Sequence, residues 1–474
     1  MQNKTRVFKI TTILMLFTAI LPVANAQQSD SMNLEEIIEA TISHSQKLKI
    51  AQYQSEQADL DRKRALRSYL PKISAEAGYT ILDDDIKFDD DFNSLLMGNQ
   101  WLLIKEQTGL PFNQQPTPEL MAMLSQNGVE IKEIPPIQEK EYFKANVTAQ
   151  MILFSGGKIP YLAKAAKHKR NAIELMSEQE RTKLTLEVVK YYDQFAVTYK
   201  SEEVLDDTEN MINNQKEFVE KAFKNGLLTK LDLHKLELAQ QKVDVKRVEL
   251  ETAKKLLTAK LSQMTGMEAA RFYNVKPELN LIFINENTGD ISTRNDIKSI
   301  EEAIKASDYK VKSEYSEFMP KVVAFGKKEL VKDNLTMFDP EWAVGLKLKW
   351  NVFDGFSSTA KVKQAKIDKL ILQEKKDEAI ELLSLKLTKE ALDLDKNFKL
   401  IELADKKVEV ATKTFELSEK QYKHGLVSQN DHLNTLLALE KAKLEKIKAI
   451  YNQRVAALNY LDTKGSLNFN SIIN

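Results

Sequence analysis

The chain has 474 residues, no cysteine, and 69 Lys+Arg against 69 Asp+Glu. The missing thiols exclude disulfides, thiolate metal sites, a cysteine nucleophile and a lipidated N-terminal cysteine, and the charge balance gives no electrostatic reason to expect a nucleic-acid partner. With only 14 Gly and 11 Pro and with 29% charged residues, the composition points to long helices with solvated faces, held by packing alone.

Residues 1–26 open with Lys4, Arg6 and Lys9, continue through an apolar run at 10–20 and close on Ala24-Asn25-Ala26. A basic head, an apolar stretch of about a dozen residues and a small-x-small end form the pattern of a secretory signal peptide, too short for a membrane span. The mature chain is expected to start at Gln27. Beyond it no run of 18 apolar residues occurs, which leaves strands as the route into a bilayer.

Residues 33–70 read as one helix: Asn33 caps it, Glu35 and Glu36 suit its positive end, and Leu34, Ile37, Ile38, Ile42, Leu48 and Ala51 form the apolar stripe. Pro71 stops it. Alternation then sets in, with Ile73, Ala75, Ala77, Tyr79 and Ile81 on one face and Lys72, Ser74, Glu76, Gly78 and Thr80 on the other, a strand that is apolar on one side. Residues 142–154 repeat the pattern, with Phe143, Ala145, Val147, Ala149, Met151 and Leu153 opposed to Lys144, Asn146, Thr148 and Gln150.

An offset of 199 residues relates Phe154 to Phe353, Gly156 to Gly355, Gly226 to Gly425 and Gly266 to Gly465, so the chain is two copies of one unit. The same shift carries the apolar face of 142–154 onto Trp342, Val344, Leu346, Leu348, Trp350 and Val352. A fourth strand is expected after Pro320, the counterpart of Pro71, although Lys327, Lys328 and Glu329 break its alternation. Between the first two strands, Pro71 to Phe154 spans 83 positions where Pro320 to Phe353 spans 33, so the first copy holds 50 extra residues. This segment, with Asp83-Asp84-Asp85, Asp89-Asp90-Asp91 and five prolines, reads as a solvated acidic loop rather than a cation site.

Two readings compete for the strands: a soluble sheet packed on one face, or a share of a transmembrane β-barrel with lipid outside and water within. Four strands cannot close a barrel, which needs at least about eight, and an open edge cannot face lipid. A barrel therefore requires several chains.

Helical patterns run from Gly157 to Lys224 and from Phe356 to His424. In the second, Leu387, Ala391, Leu394, Phe398, Ile401, Ala404, Val408, Ala411, Phe415, Ser418 and Tyr422 step by three and four. Each such helix is about 100 Å long. Gly226 and Gly425 mark turns at the far ends, making each long helix one arm of a hairpin. The returning helices, 229–264 and 428–461, are about half as long, so 33–70 and 295–319 are expected to continue the pairing.

Other chemistry is sparse. Gly156-Gly157-Lys158 lacks phosphate-loop spacing. His44, His168, His234, His424 and His432 show no metal-ligand spacing and are expected at the surface. Tyr191, Tyr192 and Phe195 read as helix-seam packing, and no nucleophile is paired with a base. No enzyme, cofactor or metal site is expected.

The order of helix, proline-started strand, strand, Phe-x-x-Gly turn, long helix, glycine tip and returning helix, repeated in tandem, closely resembles the TolC family of outer-membrane efflux proteins. Its most specific parts are Phe154-Ser155-Gly156-Gly157, Phe223-x-x-Gly226-Leu227-x-Thr229-x-x-Asp232 and Tyr422-x-x-Gly425-Leu426-x-Ser428-x-x-Asp431. The resemblance implies a homotrimer whose twelve-stranded barrel sits in the outer membrane and continues as an α-helical barrel across the periplasm. It further implies tips docked on a periplasmic adaptor joined to an inner-membrane pump. The family's Val-Gly-Leu or Val-Gly-Thr tip appears as Asn225-Gly226-Leu227 and His424-Gly425-Leu426, without the valine. Tyr422, Asp431 and Asp232 match the places that narrow the family's periplasmic end, while Val427 replaces an Arg and Asn434 replaces an Asp. The family's Arg-to-Asp latch is absent as drawn. Asp431 has two readings, an acidic ring around a closed pore or a helix-start carboxylate after the turn.

The expected fold is mainly α with a small β part, in two tandem helix-strand-strand-long hairpin repeats. Its boundaries are a leader at 1–26, a first repeat at 27–266 (strands 72–82 and 142–154, extracellular loop 83–141, tip 224–230), a linker at 267–295, a second repeat at 296–465 (strands 321–331 and 342–353, tip 423–429) and a tail at 466–474. The expected function is a passive exit duct for efflux or type I secretion, with outer-membrane lipid as a further partner. The rival is a periplasmic coiled-coil adaptor or scaffold without lipid contact.

Overall fold

The computed structural model describes residues 33–129, 132, 134–273, 275, 277–284, 290–331 and 339–467. The expected leader and most of the tail lie outside them. Asn33 does open a helix, its Oδ1 accepting from Glu36 N at 2.8 Å, but the expected 33–70 helix is two. α1 (Leu34–His44) ends at Ser45, whose ψ of 116° leaves the helical region and whose side chain accepts from Leu48 N to start α2 (Gln46–Arg67). A serine that caps the following turn competes with helix continuation, and the apolar spacing runs through the break unchanged. The halves pack differently: α1 buries Leu34, Ile37 and Ile38, whereas α2 buries only Ala58 and lies along a long helix.

Four strands follow in the order β1 (Lys72–Ile81), β2 (Glu141–Phe154), β3 (Lys321–Glu329) and β4 (Trp342–Lys349), each antiparallel to the next. β3 and β4 end earlier than expected, short of 331 and 353. The register gathers most of the apolar residues on one face, with Lys328 the exception. Ala75 faces Val147, Val147 faces Lys328 and Lys328 faces Trp342; one rung on, Ile73, Ala149, Gly326 and Val344 align. The other face carries Ser74, Thr148 and Lys327, with Phe325 beside Gly345. A Cβ on Gly345 would meet the Phe325 ring at 3.1 Å, so this glycine makes room for an aromatic on the polar face. That substitution of roles is why β3 alternates poorly when read alone.

The segment expected as an open loop instead holds α3 (Asp90–Thr108) and α4 (Pro118–Gln126) around a small core of Trp101, Ile104 and Leu124. Lys105 is buried there, its Nζ donating to Phe112 O at 2.8 Å and lying 5.4 Å from the Trp101 ring centre. The acidic residues cluster before α3 and in its first turn, where the helix dipole favours them.

The rest is helical: α5 (Lys158–Lys224), α6 (Lys230–Thr265), α7 (Asn295–Tyr315), α8 (Ser357–Lys423) and α9 (Gln429–Lys464). α5 and α8 have 67 residues each and α6 and α9 have 36. On the sheet side α2 and α7 lie against α5, and α7 also against α8; on the far side α6 and α9 pack on α5, and α9 on α8. The half-length helices thus succeed one another along the through-running pair, as expected. Their junctions are tight: a Cβ on Gly266 would lie 2.6 Å from the His44 ring, and one on Gly465 3.1 Å from Arg294. The main core sits at this level, joining Leu34, Ile37, Val188, Phe195, Leu261, Phe272 and Leu458. Across it, Arg454 of α9 holds Asp193 of α5 through two 2.9 Å hydrogen bonds and donates to Asn280 O. Neighbouring Gln453 clamps the Ile282 backbone through both its amide atoms.

Candidate functional site

Each tip is built from two local motifs in succession. At the end of α5, Gly226 (φ +74°) donates to Phe223 O at 2.9 Å and Leu227 N to Ala222 O at 2.9 Å. At the end of α8, Gly425 (φ +73°) donates to Tyr422 O at 3.0 Å and Leu426 N to Gln421 O at 2.9 Å. This is the Schellman closure, which needs a residue at positive φ and so selects glycine. The next helix then starts on a Ser/Thr-to-Asp pair, a capping box at α6 and a side-chain cap at α9. Thr229 N and Oγ1 both donate to Asp232 Oδ2, at 3.0 and 2.7 Å, while Asp431 N donates to Ser428 Oγ at 3.2 Å and Ser428 Oγ to Asp431 Oδ2 at 2.6 Å. The hydrogen bonds from Thr229 hold the Asp232 carboxyl below its ordinary value. Gly-Leu-x-Ser/Thr-x-x-Asp is therefore a turn followed by a helix start, and Asp431 makes the hydrogen bonds of a helix-start carboxylate.

Between the motifs Asn225, His424, Leu227 and Leu426 are exposed, the two leucines at 76% and 75%. Tyr422 is half-buried, edge-on to Phe218 at 5.7 Å and stacked on His432 at 5.1 Å. Burial raises its pKa, and its hydroxyl lies beside Gln215 without hydrogen-bond geometry. Asn434 is exposed two residues beyond His432, in a shallow hollow with Leu403, Val410 and Thr414. The structure thus gathers Tyr422 with the α5 and α9 side chains, and leaves Asp431 and Asn434 on the outside.

Three features escaped the sequence reading. His432 is not a surface residue: it is buried between Phe415 (5.3 Å) and Tyr422, with Nδ1 3.2 Å from Ser418 Oγ. Desolvation lowers its pKa. The repeat offset held the signal, since its counterpart Leu233 is apolar. Buried Gln429 ties the tips together by donating Nε2 to Asp232 O at 3.0 Å. Lys246 of α6 pairs with Glu440 of α9 at 2.6 Å, the glutamate fully enclosed. No sequence spacing signals the last two.

At the opposite end, the apolar sheet face is bare, with Ile73, Tyr79, Val344, Leu346, Leu348 and Trp342 all exposed in the single chain. Among the described residues β1 and β4 each have an unpaired edge. Where sheet meets helix, Glu317 binds Lys158 and Lys321. Burial would push its carboxyl up, but the two lysines outweigh it and hold it at about 2.

Comparison with known proteins accords with this geometry. The profile of the outer membrane efflux protein family matches residues 113–267 and 291–462. No curated protein matches the chain by sequence. Among solved structures the chain is similar to VceC, an outer membrane protein of Vibrio cholerae, at TM-score 0.69 and 16% identity, covering 91% of this chain and 96% of that one. It is similar to the CmeC outer membrane channel of Campylobacter jejuni at TM-score 0.69 and 15% identity, with 92% and 86% covered. It is also similar to CusC, a transmembrane channel, at TM-score 0.70 and 13% identity, with 91% of each chain covered. At such identities the structures speak for the fold; the family profile, spanning most of the chain in two segments, speaks for kinship. The long helical hairpins under a lipid-compatible sheet also disfavour a lipid-free coiled-coil adaptor. This chain belongs to the outer membrane efflux protein family, whose members are export channels of the outer membrane.

Proposed function

We propose that three copies of this chain pool their strands into a twelve-stranded barrel in the outer membrane and extend it with their helices across the periplasm, forming a passive exit duct. The observation that carries this reading is the sheet: its apolar face runs across all four strands, interrupted by Lys328, and ends at two unpaired edges. Four strands are too few to close, and an unpaired edge in hydrocarbon leaves backbone groups unsatisfied at several kcal/mol each. Pairing β4 of one copy with β1 of the next removes both edges.

The tips dock on a periplasmic adaptor that joins an inner-membrane pump, which supplies the energy; the duct itself performs no catalysis. Leu227 and Leu426, bare at the ends of the hairpins and flanked by Asn225, Gly226, His424 and Gly425, are the anchors. Tyr422, Asp232, Asp431 and Asn434 narrow the closed end, with one Asp431 from each copy forming an acidic ring that favours cations. Val427 takes the place of the family's arginine, so the closed state rests instead on Gln429, the Tyr422–Phe218 contact and the Lys246–Glu440 pair.

The test is purification from outer membranes in detergent, with the mass of the particle and its conductance in planar bilayers as readouts. A three-chain particle that conducts is expected; a single chain that stays in solution without detergent overturns the proposal. For the tips, the Leu227→Asp/Leu426→Asp double variant is expected to keep the three-chain mass and lose co-purification of the adaptor.

A further inference from the structure

The helical unit inserted between β1 and β2 carries more apolar surface than its own core uses. One side of α3 packs Trp101 and Ile104 toward α4. The other carries Phe92, Leu95, Leu102 and Leu103, which are 48%, 59%, 44% and 61% exposed. At about 100° per residue these four fall in an arc of about 100°, centred opposite Trp101 and Ile104, which also takes in Asn99 and, in the last turn, Glu106. A helix apolar on two opposite sides is built to be covered on both.

The unit is also firmly mounted. Leu82 N donates to Lys140 O at 2.8 Å, Ile86 N to Gln138 O at 2.9 Å, Ile137 N to Ile86 O at 2.7 Å and Lys140 N to Asp85 Oδ1 at 2.7 Å. The β1–β2 ladder thus continues into the base of the insertion, which places the unit at the end of the sheet away from the long helices.

We propose that α3 of three copies pack together through this stripe and form a helical cap over the outer mouth of the barrel. The inference rests on the trimeric reading above, because β1, the strand that leads into the unit, is the edge that a neighbouring β4 closes. Scale supports it. Twelve strands about 4.8 Å apart and tilted by about 40° enclose a ring about 24 Å across. Three touching helices, each about 10 Å thick, fit a circle of about 22 Å. Lipid is the other conceivable cover, but interfacial helices carry Lys and Arg on their polar side. α3 has no arginine, carries Asp90 and Asp91 outside the stripe, and its one lysine, Lys105, is turned inward to Phe112 O.

The chain contains no cysteine, so single-cysteine variants report unambiguously. Leu103→Cys and, independently, Leu95→Cys are expected to give disulfide-linked pairs of chains when intact cells are treated with a mild oxidant, and Ser94→Cys, away from the stripe, is not. In a second experiment Thr148→Cys, on the polar face of β2, is labelled from outside with a membrane-impermeant maleimide. Labelling is expected to run several-fold faster when Leu102→Ser/Leu103→Ser is added. A three-chain particle in which neither stripe variant cross-links, or in which labelling is unchanged, overturns the cap and leaves the duct standing. Quenching of a fluorophore on Leu103→Cys by brominated lipid overturns it in favour of membrane contact. A single-chain particle in detergent overturns the duct reading itself.

Discussion

Replacing Arg454 with Met removes two hydrogen bonds from Asp193, a carboxylate with no exposed side-chain surface, and one from Asn280 O. Breaking a buried pair by deleting one partner costs about 3–5 kcal/mol, because the remaining charge is left uncompensated. At about 2–4 °C per kcal/mol for a large domain, that is a loss of roughly 6–20 °C in the midpoint of helix unfolding. The loss should depend on pH with a definite sign. Burial already raises the Asp193 carboxyl above its ordinary value, and Arg454 opposes that shift. Without Arg454 the folded carboxyl rises further, so the folded state holds a proton that the unfolded chain releases, and stability falls as pH rises. The penalty is therefore greatest near neutrality and above, and shrinks as pH approaches the ordinary carboxylate range near 4. Circular dichroism of the detergent-solubilised protein, melted at about pH 8 and about pH 5, measures both effects. The Asp193→Asn/Arg454→Met variant, which removes the charge as well, should recover more than half of the loss. A midpoint unchanged in Arg454→Met, or a gap that widens on acidification, would refute the assignment of this pair as a buried charge held by its partner.

Gly156→Ala and Gly355→Ala separate strain from crowding at equivalent turns. Both glycines have φ near +65°, but a Cβ on Gly156 would lie 2.7 Å from Met319 Cβ and 2.8 Å from Ser316 O, whereas one on Gly355 meets nothing within 4 Å. Gly355→Ala should cost the left-handed strain of about 1–2 kcal/mol and still assemble, while Gly156→Ala should deplete assembled protein from outer-membrane fractions; equal behaviour would show that the Met319 contact is immaterial. Glu317, held at about 2 by Lys158 and Lys321, contributes stability that is present above its ordinary value of 4.5 and lost as pH falls from there toward 2. Limited proteolysis between α7 and β3 should therefore quicken in acid in the natural protein and lose that acid dependence in Glu317→Gln. Asp431→Ala removes a first-turn carboxylate worth about 0.3–1 kcal/mol; it should also raise single-channel conductance and weaken divalent-cation block. Asp431→Asn should keep most of the cap while changing conductance in the same way, and no change in either variant would remove the acidic ring.

Much of this architecture is readable before any coordinates are known, because it is encoded at short range. Period two in 72–82 and 142–154 sets which strand face is apolar, and spacing by three and four sets the seam of α8. The glycines at 226 and 425 mark the tips because the Schellman closure demands positive φ there. The offset of 199 residues turns one weakly specified hairpin into two that support each other. The acidic insertion misled for the same reason: α3 has apolar residues on two opposite sides, so it shows no single helical face, and its folding depends on α4 and on Phe112 O.

The sequence by itself determined the strands, the long hairpin helices, their order, the repeat and the two-faced character of the strands, since each follows from residues within a few turns or rungs of one another. Only the tertiary structure decided that helix 33–70 breaks at Ser45, that His432 is enclosed by Phe415 and Tyr422, that Gln429 reaches Asp232 O, and that Arg454 finds Asp193, 261 residues away. These outcomes depend on which surfaces meet. A polar side chain enters a core only where a distant partner satisfies it, and that partner leaves no periodic trace in the sequence.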